Sequence, residues 1–347
     1  MPMITVVLPC YNVEMYVDKC LDSLLCAYEK CKTVYADFFL EVIAVDDGAT
    51  DKTGLICDQY ASKFPDIIRV VHQANTGLGG ARNVGLSGCK GVYVAFVDSD
   101  DAVSEEYFVK LFDVIQTNHP DAICFGFKSV TSQGELVTSR DLCAKKLIEV
   151  DASSARAVWS HIGNAFAWNV CLKRSVIAAT RFENITPGED VLFTTEVMKS
   201  VKNFVVLENV LYKYLQRSGS LMHQRSISSK QIASATYSTR RRIELLADWP
   251  FRQYVGVSVH KMLSNTYIGL IGTLLEGVSE RDVTKAWDIY VSEGVRAYSV
   301  ENVTGGYSYL WQRLIFSTRS KIFWRIGLFL PWIIKCKIAQ FIKIGGC

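Results

Sequence analysis

The chain has no C-x-x-C pair. Its eleven cysteines are scattered, odd in number and without metal-like spacing. That excludes a disulfide framework and a zinc ribbon, and it points to reduced thiols that pack as small hydrophobes in a cytosolic setting. The first residues, Met1-Pro2-Met3-Ile4-Thr5-Val6-Val7, have no basic start and no long apolar core, so no secretory signal is expected there. No internal repeat or low-complexity segment is present. A formal net charge of +3 is too small to argue for nucleic acid by itself. The glycine fingerprint of dinucleotide-binding folds is also missing. After Gly77 and Gly79 its third position falls on Arg82, and the loop follows a third strand rather than a first.

What is there is ample material for a core: 49% of residues are hydrophobic and 21% charged. Short apolar runs alternate with segments of helical spacing. Ile4–Leu8 reads as a buried strand stopped by Pro9-Cys10-Tyr11-Asn12. Asn12 is a credible helix N-cap, because Val17, Leu21, Leu24 and Tyr28 then recur at helical spacing. Leu40–Val45 is a second strand ending in Asp46-Asp47-Gly48-Ala49-Thr50-Asp51. Thr50 or Asp51 can cap a helix running to about Phe64. Ile67–Val71 is a third strand, followed by a glycine-rich helix start whose glycines let the helix approach the sheet or a ligand closely. This alternation predicts an α/β fold with a doubly wound, mainly parallel sheet flanked by helices.

A fourth strand, Val92–Val97, runs directly into Asp98-Ser99-Asp100-Asp101. A six-residue run rich in Val and aromatics reads as a strand buried on both faces. Buried acids without partners are costly, so these should lie at the strand's mouth. There Asp-x-Asp suits a hard cation such as Mg²⁺ or Mn²⁺. An acidic turn capping the next helix is the plainer alternative. Each strand's carboxyl end carries such a polar cluster: Pro9–Asn12, Asp46–Asp51, Gln73–Asn75 and Asp98–Asp101. Ligands of doubly wound sheets bind at this edge, so the four clusters predict one site.

Taken together, V-V-L-P-C-Y-N (6–12), V-D-D-G-A-T-D (45–51), N-T-G-L-G-G-A-R-N-V-G (75–85) and F-V-D-S-D-D (96–101) resemble the family 2 glycosyltransferases, the inverting group with the GT-A fold. Downstream, the Trp-containing Phe166–Arg174, the Glu-Asp element Gly188–Phe193 and the Tyr-x-Tyr, Arg and Ser segment Tyr212–Ser220 look like further elements of that family. The resemblance covers roughly residues 4–223. Ala49 departs from it, standing where the family usually has Ser. So does the longer stretch Glu29–Phe39, which has no evident role in the sequence.

The resemblance implies a nucleotide-diphosphate sugar donor, usually a UDP-sugar. Pro9, Tyr11 and Asn12 would line base and ribose, and Asn75 and Ser99 would belong to the same donor pocket. Asp47 would accept a hydrogen bond from the uracil imide, or else stabilise its turn; the turn reading is stronger for Asp46. Arg82 would reach the diphosphate or base, or form a surface salt bridge. Asp98 would meet the ribose or the metal's hydration shell, and Asp100 would bind the divalent ion, Mn²⁺ or Mg²⁺. Asp101 would cap a helix from Ser104. Asp190 is the general base the resemblance implies, with Glu189 positioning the acceptor or the loop; an acidic helix start is the alternative for the pair. Trp168 offers a face for a sugar ring or packs in the core. Arg217 and Ser220, with His223 nearby, would close over the diphosphate, although His223 also reads as a plain surface histidine.

These elements predict a catalytic domain over 1–225, with a nucleotide-sugar half (about 1–101) and an acceptor half (about 102–225) that includes a hairpin around Ser132-Gln133-Gly134 and a short helix from Asp151 to His161. A helical domain over 226–318 follows. In it Arg240-Arg241-Arg242 reads as a solvated helix face rather than a phosphate site. Residues 319–347 carry six basic and no acidic residues among Trp and Phe. Their uninterrupted apolar run, Ile326–Ile334, is nine residues, where a spanning helix needs about 20. This tail therefore reads as an interfacial membrane segment or as a helix docked on the protein's own core. The expected partners are a UDP-sugar and a glycan or lipid-linked oligosaccharide acceptor, at the inner face of the cytoplasmic membrane and without nucleic acid. The competing readings are a sugar-nucleotide-forming nucleotidyltransferase and a catalytically lapsed glycan-binding scaffold. The first lacks a basic, glycine-rich loop after strand one, and the second sits poorly with the retained Asp98, Asp100 and Asp190.

Overall fold

The computed structural model describes residues 3–140, 146–149, 166–217 and seven positions between 234 and 245. The expected helix at 151–161, Ser220, His223, most of the 226–318 region and the tail 319–347 lie outside the described residues. The chain divides into two compact units, Met1–Tyr290 and Val291–Cys347, and every described residue belongs to the first.

The parallel half of the sheet follows the apolar runs. β1 (Ile4–Cys10), β2 (Leu40–Asp46), β3 (Ile68–His72) and β4 (Tyr93–Phe96) pair in the order β3-β2-β1-β4, all parallel. Three helices cross between them: α1 (Val17–Val34), α2 (Thr53–Lys63) and α3 (Gly77–Gly88). Every residue of β1 and β2 is buried, as expected for strands covered on both faces.

The second half of the sheet is mixed. The two-residue strand β5 (Ala102–Val103) precedes α4 (Tyr107–Asn118), and then come β6 (Ala122–Thr131), β7 (Leu136–Arg140) and β8 (Lys146–Glu149). A single 3₁₀ turn, Ala167–Asn169, leads into β9 (Val170–Lys173), α5 (Arg174–Ile177), α6 (Glu189–Met198) and the long β10 (Asn203–Gln216). β9 runs antiparallel between β4 and β6, and β6 runs parallel to β10. The hairpin expected around Gly134 is β6–β7.

The Glu29–Phe39 stretch has a packing role. α1 extends to Val34, after which Tyr35 and fully buried Phe38 meet α4, with Tyr35 edge-on to Phe112 at 4.9 Å and Phe38 against Phe112 at 5.1 Å. The described cysteines mostly pack as small hydrophobes. Among the described ones all are free, and Cys10, Cys20, Cys31, Cys57, Cys124 and Cys171 are buried.

Gly85 is what allows α3 onto the sheet, since a Cβ there would collide with Val7 Cγ1 of β1. Gly85→Ala should therefore cost about 1–3 kcal/mol through overpacking. Denaturant unfolding would show this, and an unchanged midpoint would place the helix farther from β1 than described.

Candidate functional site

The carboxyl ends of β1 to β4 do converge, and the side chains there are tied to one another. Asn12, held at a positive φ of 52°, does not cap α1, which begins five residues later. Its Oδ1 accepts from Thr50 N at 2.8 Å instead, joining the β1 loop to the β2 loop. Asp51 ends the same loop as a cap, accepting from Thr53 N at 2.9 Å. Ala49 contributes its backbone N–H, which donates to Asp46 Oδ1 at 2.9 Å; this contact does not need the hydroxyl that a Ser would bring.

Asp47 is buried and already engaged. Its Oδ1 accepts from Gln73 Nε2 (2.6 Å) and Thr76 N (2.8 Å), and its Oδ2 from Gly77 N (2.9 Å). It thus satisfies backbone donors at the start of α3, and a carboxylate's roughly four lone-pair sites leave Oδ2 capacity for one more donor. Asn75 and Tyr11 are exposed beside it. Ser99 Oγ donates to the Pro9 carbonyl at 2.7 Å, which joins the β4 loop to the β1 loop.

The acids after β4 have separate tasks. Asp98 Oδ1 accepts from Arg82 Nη2 at 2.8 Å, and Asp100 Oδ2 accepts from Arg217 Nε at 2.7 Å. The Arg217 guanidinium lies 5.0 Å over the Tyr16 ring. Burial, then the Asp98 charge, pushes the Asp100 carboxyl up against the pull of Arg217. Asp101 does not cap the next helix. It is buried and accepts from the Tyr212 hydroxyl and from Leu215 N, both at 2.7 Å, while that hydroxyl accepts from Asp98 N at 3.0 Å. Asp101 therefore braces the acidic loop against β10.

Trp168 is 6% exposed and stacked between Phe166 (4.9 Å) and Tyr212 (4.7 Å), with Phe127 edge-on. Both faces are occupied, so Trp168 is core that backs Tyr212 and presents no open face to a sugar ring.

Arg82 is the hub of the site and lies far from the surface, at 1% exposure. Besides Asp98 it donates through Nη1 to Glu189 Oε1 at 3.0 Å, and its guanidinium lies 5.3 Å over the Phe182 ring. Its Nε is buried with no partner among the described residues. Burial works against its charge, but Asp98, Glu189 and Asp190 outweigh it and raise its pKa. The neighbouring Asn83, which sequence reasoning did not single out, exchanges two hydrogen bonds of 2.8 Å with the Phe182 backbone. α3 thus holds the segment leading into α6, whose first turn is Glu189-Asp190.

Burial and the Asp190 charge push the Glu189 carboxyl up to about 7 despite Arg82. Asp190 is also raised, by burial, with Arg82 opposing. Its Oδ1 accepts from its own neighbour Val191 N at 2.7 Å. Glu189 is fully buried and committed to Arg82, while Asp190 keeps partial exposure. Of the two residues, Asp190 is the more exposed.

Among the described residues no cluster of three or more His, Cys, Asp or Glu forms a metal cage. Asp98 Oδ2 and Asp100 Oδ1 have no hydrogen-bond partner among the described residues, their other oxygens being taken by Arg82 and Arg217. A hard divalent ion typically takes one or two carboxylates and completes its shell with substrate phosphates and water, and this pair fits that requirement.

The family model for Glycosyl transferase family 2 matches residues 5–166. The chain is 31% identical over 231 residues to the uncharacterized glycosyltransferase EpsJ of Bacillus subtilis strain 168, an overlap covering 63% of each; it thus spans less than two thirds of that relative. It is 31% identical over 228 residues to the glycosyltransferase GlyG of Streptococcus pneumoniae serotype 4, covering 63% of this chain and 73% of GlyG. The crystal structure of Staphylococcus aureus TarS 1–349 in complex with UDP-GlcNAc superposes with a TM-score of 0.66 at 22% identity, over 85% of this chain and 81% of that one. At that identity the likeness is one of fold.

Proposed function

The chain belongs to glycosyltransferase family 2 and has its GT-A-type fold, and from that premise we propose that it transfers a sugar from a UDP-sugar to a hydroxyl of a glycan or lipid-linked oligosaccharide, with inversion, during cell-surface polysaccharide synthesis. The observation that carries this reading is the buried bridge Asp98–Arg82–Glu189. It links the acid at the mouth of β4, on the donor side, to the turn bearing Asp190.

In this reading Tyr11, Asn12, Asp47 and Asn75 border the nucleotide, and Arg217 meets the diphosphate from the end of β10. Asp98 and Asp100 would hold Mn²⁺ or Mg²⁺, which would supply positive charge to offset the charge that develops on the departing UDP. Asp190 takes the acceptor's proton as the new glycosidic bond forms on the face opposite the departing UDP. The proton passes to the carboxylate, the C1–O bond to UDP breaks, and one displacement inverts the anomeric centre. Glu189, clamped by Arg82, fixes the first turn of α6 so that Asp190 points at the acceptor. TarS was crystallised with UDP-GlcNAc, which supports uridine as the base.

Thermal shift with UDP, GDP, CDP and dTDP, each with Mn²⁺ or EDTA, tests the donor side. UDP with Mn²⁺ at about 100 Kd should add about 2.7 kcal/mol of stability, and the effect should vanish with EDTA and in Asp100→Ala. Equal stabilisation by all four nucleotides would reject the uridine preference. Stabilisation that survives EDTA would reject the metal.

The basic tail supports a peripheral position at the cytoplasmic membrane. Removing residues 319–347 should move the protein from the membrane pellet to the supernatant, and a full-length protein already in the low-salt supernatant would sink that part of the reading. Among the described residues no helix is long and apolar enough to cross a membrane.

A further inference from the structure

We propose that Gln73 is a positioning residue that sets base specificity in the nucleotide pocket. It acts through Asp47, by closing one carboxylate oxygen and leaving the other a single acceptor position for a base N–H. The inference rests on the UDP-sugar reading and adds to it the residue that lets the pocket separate uracil from cytosine.

Gln73 is the first residue after β3. Its backbone N–H donates to the Asp46 carbonyl at 3.0 Å, so its side chain starts beside the Asp47 turn. Gly48 permits this closeness. Its φ is +70°, and a Cβ there would lie 2.9 Å from Asn75 N and 3.2 Å from the Gln73 carbonyl oxygen. The Gln73 amide then sits between two oxygens, with Nε2 2.6 Å from Asp47 Oδ1 and 2.6 Å from Thr76 Oγ1. A carboxylate accepts and does not donate, so the amide must turn its nitrogen, not its oxygen, toward Asp47. By donating to Thr76 Oγ1 as well, it leaves the hydroxyl proton to reach Asp47 Oδ1 at 3.2 Å.

Counting donors shows what is left. Oδ1 takes Gln73 Nε2, Thr76 N at 2.8 Å and the Thr76 hydroxyl, which more than fills its two lone pairs. Oδ2 takes only Gly77 N, at 2.9 Å. Held at both oxygens and buried, the carboxylate is fixed in orientation. Its one open position on Oδ2 selects by chemistry. Uracil carries an N–H at its N3 and can donate there. Cytosine has a bare N3, which would set an acceptor against an acceptor. Loss of the Gln73 amide removes the shortest bond to Oδ1 and the partner that orients the Thr76 hydroxyl. The carboxylate can then turn, and a turned carboxylate accepts from the amino group of cytosine as well as from the N–H of uracil.

The test is calorimetric titration of the full chain with UDP, CDP and UDP methylated at the base N3, each with Mn²⁺. Ribose, diphosphate and metal are common to all three, so the ratios of Kd report the base alone. Wild type should bind UDP about 10–100-fold more tightly than either of the others, the range for one hydrogen bond to a charged group. Gln73→Met keeps the length and loses the donor, and its preference for UDP should fall by about 10-fold. Gln73→Lys keeps a donor and should hold the wild-type ratio. A pocket that is merely loosened weakens all three nucleotides alike and leaves the ratios in place. An undiminished ratio in Gln73→Met therefore overturns the proposal, as does a Lys ratio as low as the Met one. Should Gln73→Met lose cooperative melting, Thr76→Val decides. It keeps the size and removes the hydroxyl that Gln73 orients, so the ratio should again fall, and an undiminished ratio overturns the proposal. A wild type that binds none of the three, or binds UDP and its N3-methyl form alike, would remove the uridine reading and this proposal with it. A wild type that separates them, with variants that separate them equally well, removes the role of Gln73 alone.

Discussion

Asp190→Asn should lower the rate of sugar transfer by about 10²–10⁴-fold, the usual worth of a positioned general base, while UDP binding persists. The amide matches the carboxylate in size and can still accept from Val191 N, so the first turn of α6 keeps its shape and only the proton acceptor is lost. Burial raises the Asp190 carboxyl, and a base works in its ionised form. The wild-type rate should therefore climb with pH through a limb above the ordinary carboxylate range, and this limb should disappear in the variant. Initial rates of UDP release across pH 5–9 read both effects. An Asn enzyme with an undiminished rate would mean that another group takes the proton.

Arg82→Met should destabilise the fold by about 3–5 kcal/mol, the usual cost of removing one member of a buried ion pair. It strips the counter-charge from Asp98 and Glu189 together, at 2.8 and 3.0 Å. The loss should depend on pH with a definite sign. Glu189 is held at about 7 in the folded protein, above its value of about 4.3 in an unfolded chain. Between those values the folded state binds the extra proton, so this group's contribution is fully present below about pH 4 and fades as pH rises through 7. Without Arg82 the folded value climbs further and the fading extends to higher pH. The variant's deficit relative to wild type should accordingly widen between pH 5 and pH 8 in urea unfolding. A deficit that is constant across that range would show that Glu189 stays ionised in both proteins.

The parallel half of the sheet was legible residue by residue, because a strand buried on both faces must be a continuous apolar run. Ile4–Leu8, Leu40–Val45, Ile67–Val71 and Val92–Val97 each lie within about two residues of the strands observed. The glycines of 77–85 were legible as close-approach positions, and Gly85 against Val7 is that approach. β9 and β10 were harder to read. They come from segments interpreted through their motifs, and their pairing, β4-β9-β6-β10, joins residues such as Tyr93 and Lys173, Ala122 and Leu172, and Ala122 and Phe204, which no local pattern connects. Asn12 and Asp101 were misassigned for a related reason. Both are short polar side chains next to a helix start, and capping is the local use for such residues; each instead reaches a backbone N–H in another loop or strand, at Thr50 and Leu215.

The sequence by itself determined which chemistry the chain carries. Carboxylates at the mouths of apolar runs, the acidic pair after β4 and the Glu-Asp element are local features, set by residue type and spacing. The tertiary structure alone decided what each charge does. Arg82 could be placed in the sequence but not between Asp98 and Glu189, 16 and 107 residues away. Trp168 became core once Phe166 and Tyr212 covered its two faces. Arg242, expected on a solvated helix face, is instead buried and donates to Thr195 of α6. The physical reason is that the energy of a charge or a ring depends on its surroundings. Exposed, an arginine adds little to stability; buried between carboxylates, it becomes a support of the fold, and only the packed chain determines which case holds.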